Sequence, residues 1–117
     1  DLSILIVNYN TCDLTMDALR SVFQSNTDYQ YEVILIDNHS TDGSVERIRQ
    51  AFPQVTIISN DQNVGFAKAN NQGIKRATGR YVLLLNSDTI VQPDTLQVML
   101  SFKIEEHTSE LQSQDGI

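Results

Sequence analysis

Two acidic side chains stand directly behind apolar segments of this chain, at points where they could bind a ligand or a cation. Asp37 follows the segment VILI, and Asp88 closes the NSD group that begins at Asn86 and follows LLL. Tyr9 stands shortly behind a third apolar segment, SILIV. Such groups also occur in ordinary turns, because Asn, Ser and Asp bend the chain by bonding to its own backbone. The residue types therefore leave two interpretations open, a turn or a site.

Four apolar segments predict the strands that would carry these groups: Ser3–Val7, Val33–Ile36, Val55–Ile58 and Tyr81–Leu85. Each is continuous rather than alternating, which is typical of parallel strands covered on both faces. Helical spacing of apolar residues predicts four helices between and after them, at Cys12–Phe23, Ser44–Phe52, Gly65–Thr78 and Pro93–Ile104. The alternation predicts an α/β fold, a doubly wound, mostly parallel open sheet with helices on both faces.

Finer features of these helices can also be predicted. Thr11 is a plausible N-cap of the first helix. Ala69, Gly73 and Ala77 form a stripe of small residues suited to close packing of the third helix on the sheet.

Polar residues follow every predicted strand at its carboxyl end: Asn8–Asn10, Asp37–Ser40, Ser59–Asn63 and Asn86–Asp88. The carboxyl ends of parallel strands lie on one edge of the sheet, which is where ligands of such folds bind. A single cluster of this kind is more typical of a turn than of a site. Four clusters on one edge favour a shared ligand crevice.

The composition excludes several classes of protein. The 117 residues, 40% of them hydrophobic and 20% charged, are enough for one domain. The formal net charge of −7 disfavours non-specific electrostatic binding to nucleic acid or anionic lipid. A single cysteine, Cys12, excludes an internal disulfide or a cysteine-built zinc site and fits a reducing cytoplasm. No apolar run is long enough to span a membrane. We expect a domain over residues 1–104, with 105–117 a polar tail or severed connection of a trimmed chain that begins at Asp1 without Met.

Motifs that would specify other ligands are missing from the expected places. No glycine-rich fingerprint follows the first strand and no Walker A sequence occurs, so a Rossmann dinucleotide site and a P-loop are disfavoured. Asn8 and Asn10 do not supply the carboxylate pair of a phosphoacceptor receiver domain. Asp37 and Asp88 remain as the two carboxylates that are well placed for a site. A divalent cation held by Asp88 and by substrate phosphates would suit this acidic chain, since Mg²⁺ needs few protein carboxylates.

The segments SILIVNYN, VILIDNHSTDGS, NVGFAKANNQGI and GRYVLLLNSDT, in this order and spacing, resemble family 2 glycosyltransferases of the GT-A fold. The third and fourth segments are most similar to the rhamnosyltransferase-like branch. The resemblance covers Ser3 to Leu100 and implies the Rossmann-like, donor-binding half of an enzyme of polysaccharide biosynthesis. Such an enzyme makes an inverting transfer of a sugar from a UDP- or dTDP-sugar to a hydroxyl of a glycan or lipid-linked acceptor. It also implies a location in the cytoplasm or at the inner face of the membrane.

The resemblance assigns nucleotide-binding roles to residues of the first three segments. It places Val7 and Tyr9 against the base, with the Tyr9 ring stacking on it. Asp37 would bind the base or its ribose. Gly65 and Asn71 match the segment that closes over the nucleotide.

Asn86-Ser87-Asp88 corresponds to the family's DxD motif. The resemblance assigns Mg²⁺ or Mn²⁺ to Asp88, with Asn86 at the nucleotide but contributing no charge, so that metal dependence need not be strict. No general base is assigned, and Glu105, Glu106 and Glu110 are interpreted as a solvated helix end. The alternative to an enzyme is a non-catalytic α/β domain for interaction or assembly, whose polar edge consists of loops alone.

Overall fold

A computed structural model describes residues 1–102 of the chain, and every strand predicted from the sequence is present in it. The strands are β1 Leu2–Asn8, β2 Tyr31–Asp37, β3 Thr56–Ser59 and β4 Tyr81–Leu85. The helices are α1 Cys12–Phe23, α2 Ser44–Ala51 and α3 Phe66–Arg76, and α4 begins at residue 95 and extends through residue 102. The predicted continuation to Ile104 and the predicted tail, 105–117, lie outside the described residues.

The four strands form one parallel sheet in the order β3-β2-β1-β4. The chain moves from β1 through β2 to β3 and then crosses back to place β4 on the other side of β1. This reversal creates a topological switch point between β1 and β4, where the carboxyl ends of the strands diverge and leave a crevice. The predicted parallel α/β sheet is therefore confirmed.

Alternate side chains of the strands enter two separate apolar layers. Ile4, Ile6 and Leu35 pack on one face with Leu19 of α1, together with residues of α2 and α4. Leu5, Ile34 and Ile36 pack on the opposite face with Ala69 of α3. Helices thus cover both faces, as a doubly wound sheet requires.

The small-residue stripe of α3 allows that helix to lie close to the sheet. A Cβ atom at Gly73 would come within 2.9 Å of the side chains of both Ile36 and Leu5, and Ala69 is fully buried. Because α3 packs on β1 and β2, it leaves part of β4 uncovered, and Leu84 is 50% exposed. The expectation that every strand is covered on both faces is therefore wrong for β4, which is an edge strand.

Glu32 ties the opposite, amino-terminal edge of the sheet together. Its Oε2 accepts hydrogen bonds from Ser3 Oγ at 2.6 Å, Thr78 N at 2.7 Å and Thr78 Oγ1 at 2.9 Å. Gly79 N donates in turn to Ser3 Oγ at 2.8 Å, and a Cβ atom at Gly79 would lie 2.6 Å from the backbone of Leu2. Burial alone would raise the pKa of Glu32, but these hydrogen bonds outweigh it and hold the pKa below its ordinary value.

The Glu32 contacts predict a pH-dependent contribution to stability. A depressed pKa means that the stabilisation is present above the ordinary glutamate pKa of about 4.3 and is lost as the pH falls through the lower folded-state value. Glu32→Gln should therefore lower the free energy of unfolding by about 1 kcal/mol at pH 7. Urea denaturation of both chains at pH 7 and at low pH should show this difference shrinking in acid. An equal difference at the two pH values would mean that the carboxylate charge contributes nothing.

Candidate functional site

A cleft of about 600 Å³ opens at the carboxyl ends of β1 and β4, at the switch point of the sheet. Five of the seven residues predicted for the site line it: Val7, Tyr9, Gly65, Asn86 and Asp88. Val7 belongs to β1 and Tyr9 follows it, whereas Asn86 and Asp88 follow β4 directly. The fold therefore brings together residues that lie up to 81 positions apart in the sequence.

Other lining residues were not assigned to the site from the sequence: Thr11, Leu14, Asn38, Asn63, Phe66 and Ser87. Leu14 and Phe66 are exposed by 50% and 62% of their surfaces, respectively, so the cleft has an apolar wall as well as a polar one. A signal for Leu14 existed, because it lies off the predicted apolar stripe of α1. Phe66 has no such signal, since only the three-dimensional structure shows that the first turn of α3 faces the cleft.

Asn8 and Asp37 form the centre of a polar network beneath the cleft. They are register partners at the last position of β1 and β2, and they are 0% and 1% exposed. Asn8 Nδ2 donates to Asp37 Oδ1 at 2.7 Å. Ser40 donates to the same carboxylate twice, from its Oγ at 2.8 Å and from its backbone N at 2.9 Å. Three hydrogen bonds thus satisfy a buried carboxylate that would otherwise be costly.

The other end of the Asn8 side chain connects this network to α1. Asn8 Oδ1 accepts hydrogen bonds from the hydroxyls of Thr11 and Thr15, both at 2.8 Å. Thr11 Oγ1 also lies 3.5 Å from Ser87 Oγ, across the switch point. This long contact connects the polar network to the loop after β4.

The N-terminus of α1 is capped from another loop. Thr11 is the N-cap residue of α1, as predicted, but its hydroxyl donates to Asn8 Oδ1 and makes no cap hydrogen bond with the helix. Asp42 takes that role, and its Oδ2 accepts from Cys12 N at 3.1 Å while its Oδ1 accepts from Ser44. Burial acts to raise the pKa of Asp42, but these hydrogen bonds lower it overall. An ionised carboxylate at this helix end also complements the helix dipole.

Two residues predicted for the site lie outside the cleft wall. Asp37 lies in the sheet below it, because the last residue of β2 still follows the strand's alternation and turns inward toward Asn8. Asn71 lies on α3, is exposed, and is not among the residues that line the cleft. Their predicted contacts with a nucleotide stay predictions. Asn38, the neighbour of Asp37, is the residue that reaches the cleft from β2.

The charged side chains that line the cleft limit the kinds of ligand that it can bind. Asp88 is the one charged side chain among its described lining residues, which include no Lys, Arg or His. Within residues 1–102, no three side chains of the metal-binding types come together. The exposed carboxylate of Asp88 and the side-chain amide of Asn86 suit an Mg²⁺ or Mn²⁺ ion that receives its remaining ligands from phosphate oxygens and water. The donor set therefore fits a cation that arrives with a phosphorylated ligand.

An open parallel sheet, covered on both faces and carrying a polar crevice at its switch point, defines a ligand-binding α/β protein of the doubly wound class. The profile of the family described as Glycosyl transferase family 2 matches residues 3–116. The chain belongs to this family, and the resemblance seen in its four segments is confirmed at that level.

Curated relatives agree with this assignment. The chain is 31% identical to the putative teichuronic acid biosynthesis glycosyltransferase TuaG of Bacillus subtilis, over 97% of this chain and 48% of the relative. It is 36% identical to an uncharacterised glycosyltransferase of Haemophilus influenzae, over 91% of this chain and 43% of the relative. The chain thus spans less than half the length of these relatives.

Solved structures show the same fold with nucleotide-sugars bound. S. aureus TarS 1-349 in complex with UDP-GlcNAc superposes with a TM-score of 0.82 at 25% identity, covering 92% of this chain and 32% of TarS 1-349. The mannosyltransferase PcManGT of Pyrobaculum calidifontis, in complex with GDP-Man and Mn²⁺, gives 0.76 at 26% identity, covering 87% and 32%. No helix among the described residues is long and apolar enough to cross a membrane.

Proposed function

We propose that this chain is the donor-binding part of a glycosyltransferase and that its cleft binds a nucleoside diphosphate sugar together with Mg²⁺ or Mn²⁺. The observation that carries the proposal is the composition of the cleft at the switch point. It combines an exposed aromatic ring, Tyr9, with a lone exposed carboxylate, Asp88. Membership of Glycosyl transferase family 2 and the nucleotide-sugar complexes of the two structural neighbours support the same ligand class.

The nucleoside would lie against Tyr9 and Val7, at the β1 side of the cleft. A ring that is 49% exposed in a concave surface offers a face on which a base can stack. Asp37, buried beneath the cleft, and Asn71, exposed on α3, do not line it; the contact of Asp37 with the base or ribose, and that of Asn71 in the segment that closes over the nucleotide, stay predictions. Gly65 begins that segment with φ of 88° and ψ of 166°, a conformation open to glycine alone.

The diphosphate would lie on the β4 side, at Asn86 and Asp88. The two negative phosphates would meet a carboxylate, and the described lining residues include no basic side chain, so in this proposal a cation mediates the contact. Asp88 would hold this cation, and Asn86 would bind a ribose hydroxyl or a metal-bound water. When bound, the cation neutralises the charge that develops on the departing diphosphate.

The whole reaction in this proposal is an inverting transfer. The oxygen of an acceptor hydroxyl forms a bond to the anomeric carbon of the sugar, the bond from that carbon to the diphosphate breaks, and the proton of the hydroxyl passes to a general base. The chain's described residues bind and orient the donor, and we assign no general base among them. For the acceptor we propose a glycan or lipid-linked hydroxyl, for the location the cytoplasm or the inner face of the membrane, and for the donor a UDP- or dTDP-sugar, with rhamnose as one candidate sugar.

Mn²⁺ paramagnetic broadening of backbone amide NMR signals tests where this ligand binds. In the presence of UDP, substoichiometric Mn²⁺ should broaden the signals of Ser87, Asp88 and Thr89 first, because Asp88 then holds the ion with the diphosphate. Mg²⁺ serves as the diamagnetic control. Broadening that is centred on other acidic residues, such as Asp13 or Glu46, would place the metal elsewhere and contradict the proposal.

A further inference from the structure

Asn38 joins the end of β2 to the turn that precedes α3. Its side chain is only 3% exposed, yet it lines the cleft. Its Nδ2 donates to Gly65 O at 3.3 Å, and its Oδ1 accepts from Val64 N at 3.4 Å. One carboxamide therefore satisfies a backbone acceptor and a backbone donor of the same turn.

These two backbone partners fix which way the carboxamide of Asn38 is turned. A backbone N–H can only donate and a backbone carbonyl can only accept, so the oxygen must face Val64 and the nitrogen must face Gly65. Reversing the carboxamide would place like groups against each other at both contacts. The orientation of Asn38 is thus set by the fold.

Further carboxamides hold Asn38 in place from behind. Asn60 Nδ2 donates to Asn38 Oδ1 at 3.1 Å. Asn60 and Gln72 exchange a reciprocal pair of hydrogen bonds, at 2.9 Å and 3.0 Å. This chain of three side chains links β2, the loop after β3 and α3, and a satisfied network of this kind is rigid.

The turn that Asn38 holds is conformationally demanding. Gly65 adopts a φ of 88° and a ψ of 166°, and its N–H is bound by Asn63 Oδ1 at 2.8 Å. Asn63 and Phe66, on either side of this turn, both line the cleft. Their location depends on the turn, and the turn is fastened to the sheet through Asn38.

We propose that Asn38 is a positioning residue, whose carboxamide holds the Val64–Gly65 turn and so places Asn63 and Phe66 in the wall of the cleft that receives the nucleoside diphosphate. The effect on affinity rests on the proposed function, but the effect on the turn does not. Asn38 therefore sets the affinity for the ligand through the shape of this wall.

Two variants remove different parts of the Asn38 contact. Asn38→Ala removes both hydrogen bonds to the turn, whereas Asn38→Asp keeps an acceptor for Val64 and loses the donor to Gly65. Gln72→Ala is the matched control, because it removes a carboxamide that bonds only Asn60 and leaves the hydrogen bonds of Asn38 to the turn and from Asn60 in place. Thermal unfolding of each variant shows that the comparisons are made on folded protein.

Amide hydrogen exchange of Val64 to Phe66 measures how firmly the turn is held when no ligand is present. Asn38→Ala should accelerate exchange there by roughly tenfold or more, Asn38→Asp by at least as much because it sets an acceptor against Gly65 O, and Gln72→Ala by at most about twofold. Unchanged exchange in Asn38→Ala would overturn the inference, and so would an equal acceleration in Gln72→Ala. This result is obtained whether or not the chain binds a nucleotide.

Titration with UDP and Mn²⁺ then measures the effect of each variant on the Kd. Asn38→Ala should raise the Kd by roughly tenfold while Gln72→Ala leaves it within about twofold. An unchanged Kd beside accelerated exchange would overturn the link between the turn and the ligand. If the wild-type chain binds no nucleoside diphosphate, the proposed function fails, and hydrogen exchange alone decides whether Asn38 holds the turn.

Discussion

Replacing Asp37 with alanine is expected to lower the free energy of unfolding by about 2–3 kcal/mol, the cost of leaving buried partners without their acceptor. Asn8 Nδ2, on a side chain that is 0% exposed, would lose its contact with Asp37 Oδ1 at 2.7 Å. Ser40 would lose two more contacts to the same carboxylate. The Asn8 side chain also binds Thr11 and Thr15, so the damage would reach the start of α1.

Thermal unfolding measures the Asp37 effect, which corresponds to a fall in Tm of roughly 10–20 °C for a domain of this size. Asp61→Ala is the matched control, because Asp61 is an exposed carboxylate in the loop after β3 and its loss should change stability by less than about 0.5 kcal/mol. Similar Tm values for the two variants would contradict the account of a network that depends on Asp37.

Asp88→Ala is expected to have the largest effect on ligand binding. It removes the one carboxylate among the described lining residues of the cleft, so a divalent cation loses its charged protein ligand. The loss of a charged contact of about 1.5–3 kcal/mol corresponds to a Kd for UDP with Mn²⁺ that is roughly tenfold to a hundredfold higher. Stability should hardly change, because Asp88 is exposed.

Two further variants make the Asp88 result specific to the cation. Asn86→Asp adds a second carboxylate beside Asp88 and should strengthen Mn²⁺-dependent binding, since it raises the charge of the donor set. Asp94→Ala removes an exposed carboxylate outside the cleft lining and should leave the Kd unchanged. Equal weakening by Asp88→Ala and Asp94→Ala would indicate an effect of net charge alone.

The edge of the sheet that carries the cleft could be predicted from the sequence, because continuous apolar strands alternate with helices and an Asn or Asp stands at or directly after the end of each strand. The order of the strands then brought Tyr9 and Asp88 together at the switch point, as expected for a ligand crevice. Local patterns were sufficient here because both residues lie within three positions of the end of a strand.

Which of two adjacent polar residues lines the cleft could not be predicted as well. Asp37 is the last residue paired in β2 and turns inward, whereas Asn38 is the first beyond it and reaches the cleft. The difference depends on which residue is the last one paired in the strand. The sequence shows only the apolar segment, so the end of the strand can be located only to within about one residue. Phe66 was missed for another reason, since its location depends on a turn held by hydrogen bonds from Asn38.

Calorimetric titration of the wild-type chain with UDP tests the central claim most directly, carried out once with Mn²⁺ and once with EDTA. The cleft as described predicts saturable binding at one site with Mn²⁺ and binding weaker by roughly tenfold or more with EDTA, because Asp88 and the diphosphate need a cation between them. The absence of heat with UDP, dTDP and GDP alike in the presence of Mn²⁺ would contradict the claim that this cleft binds a nucleoside diphosphate.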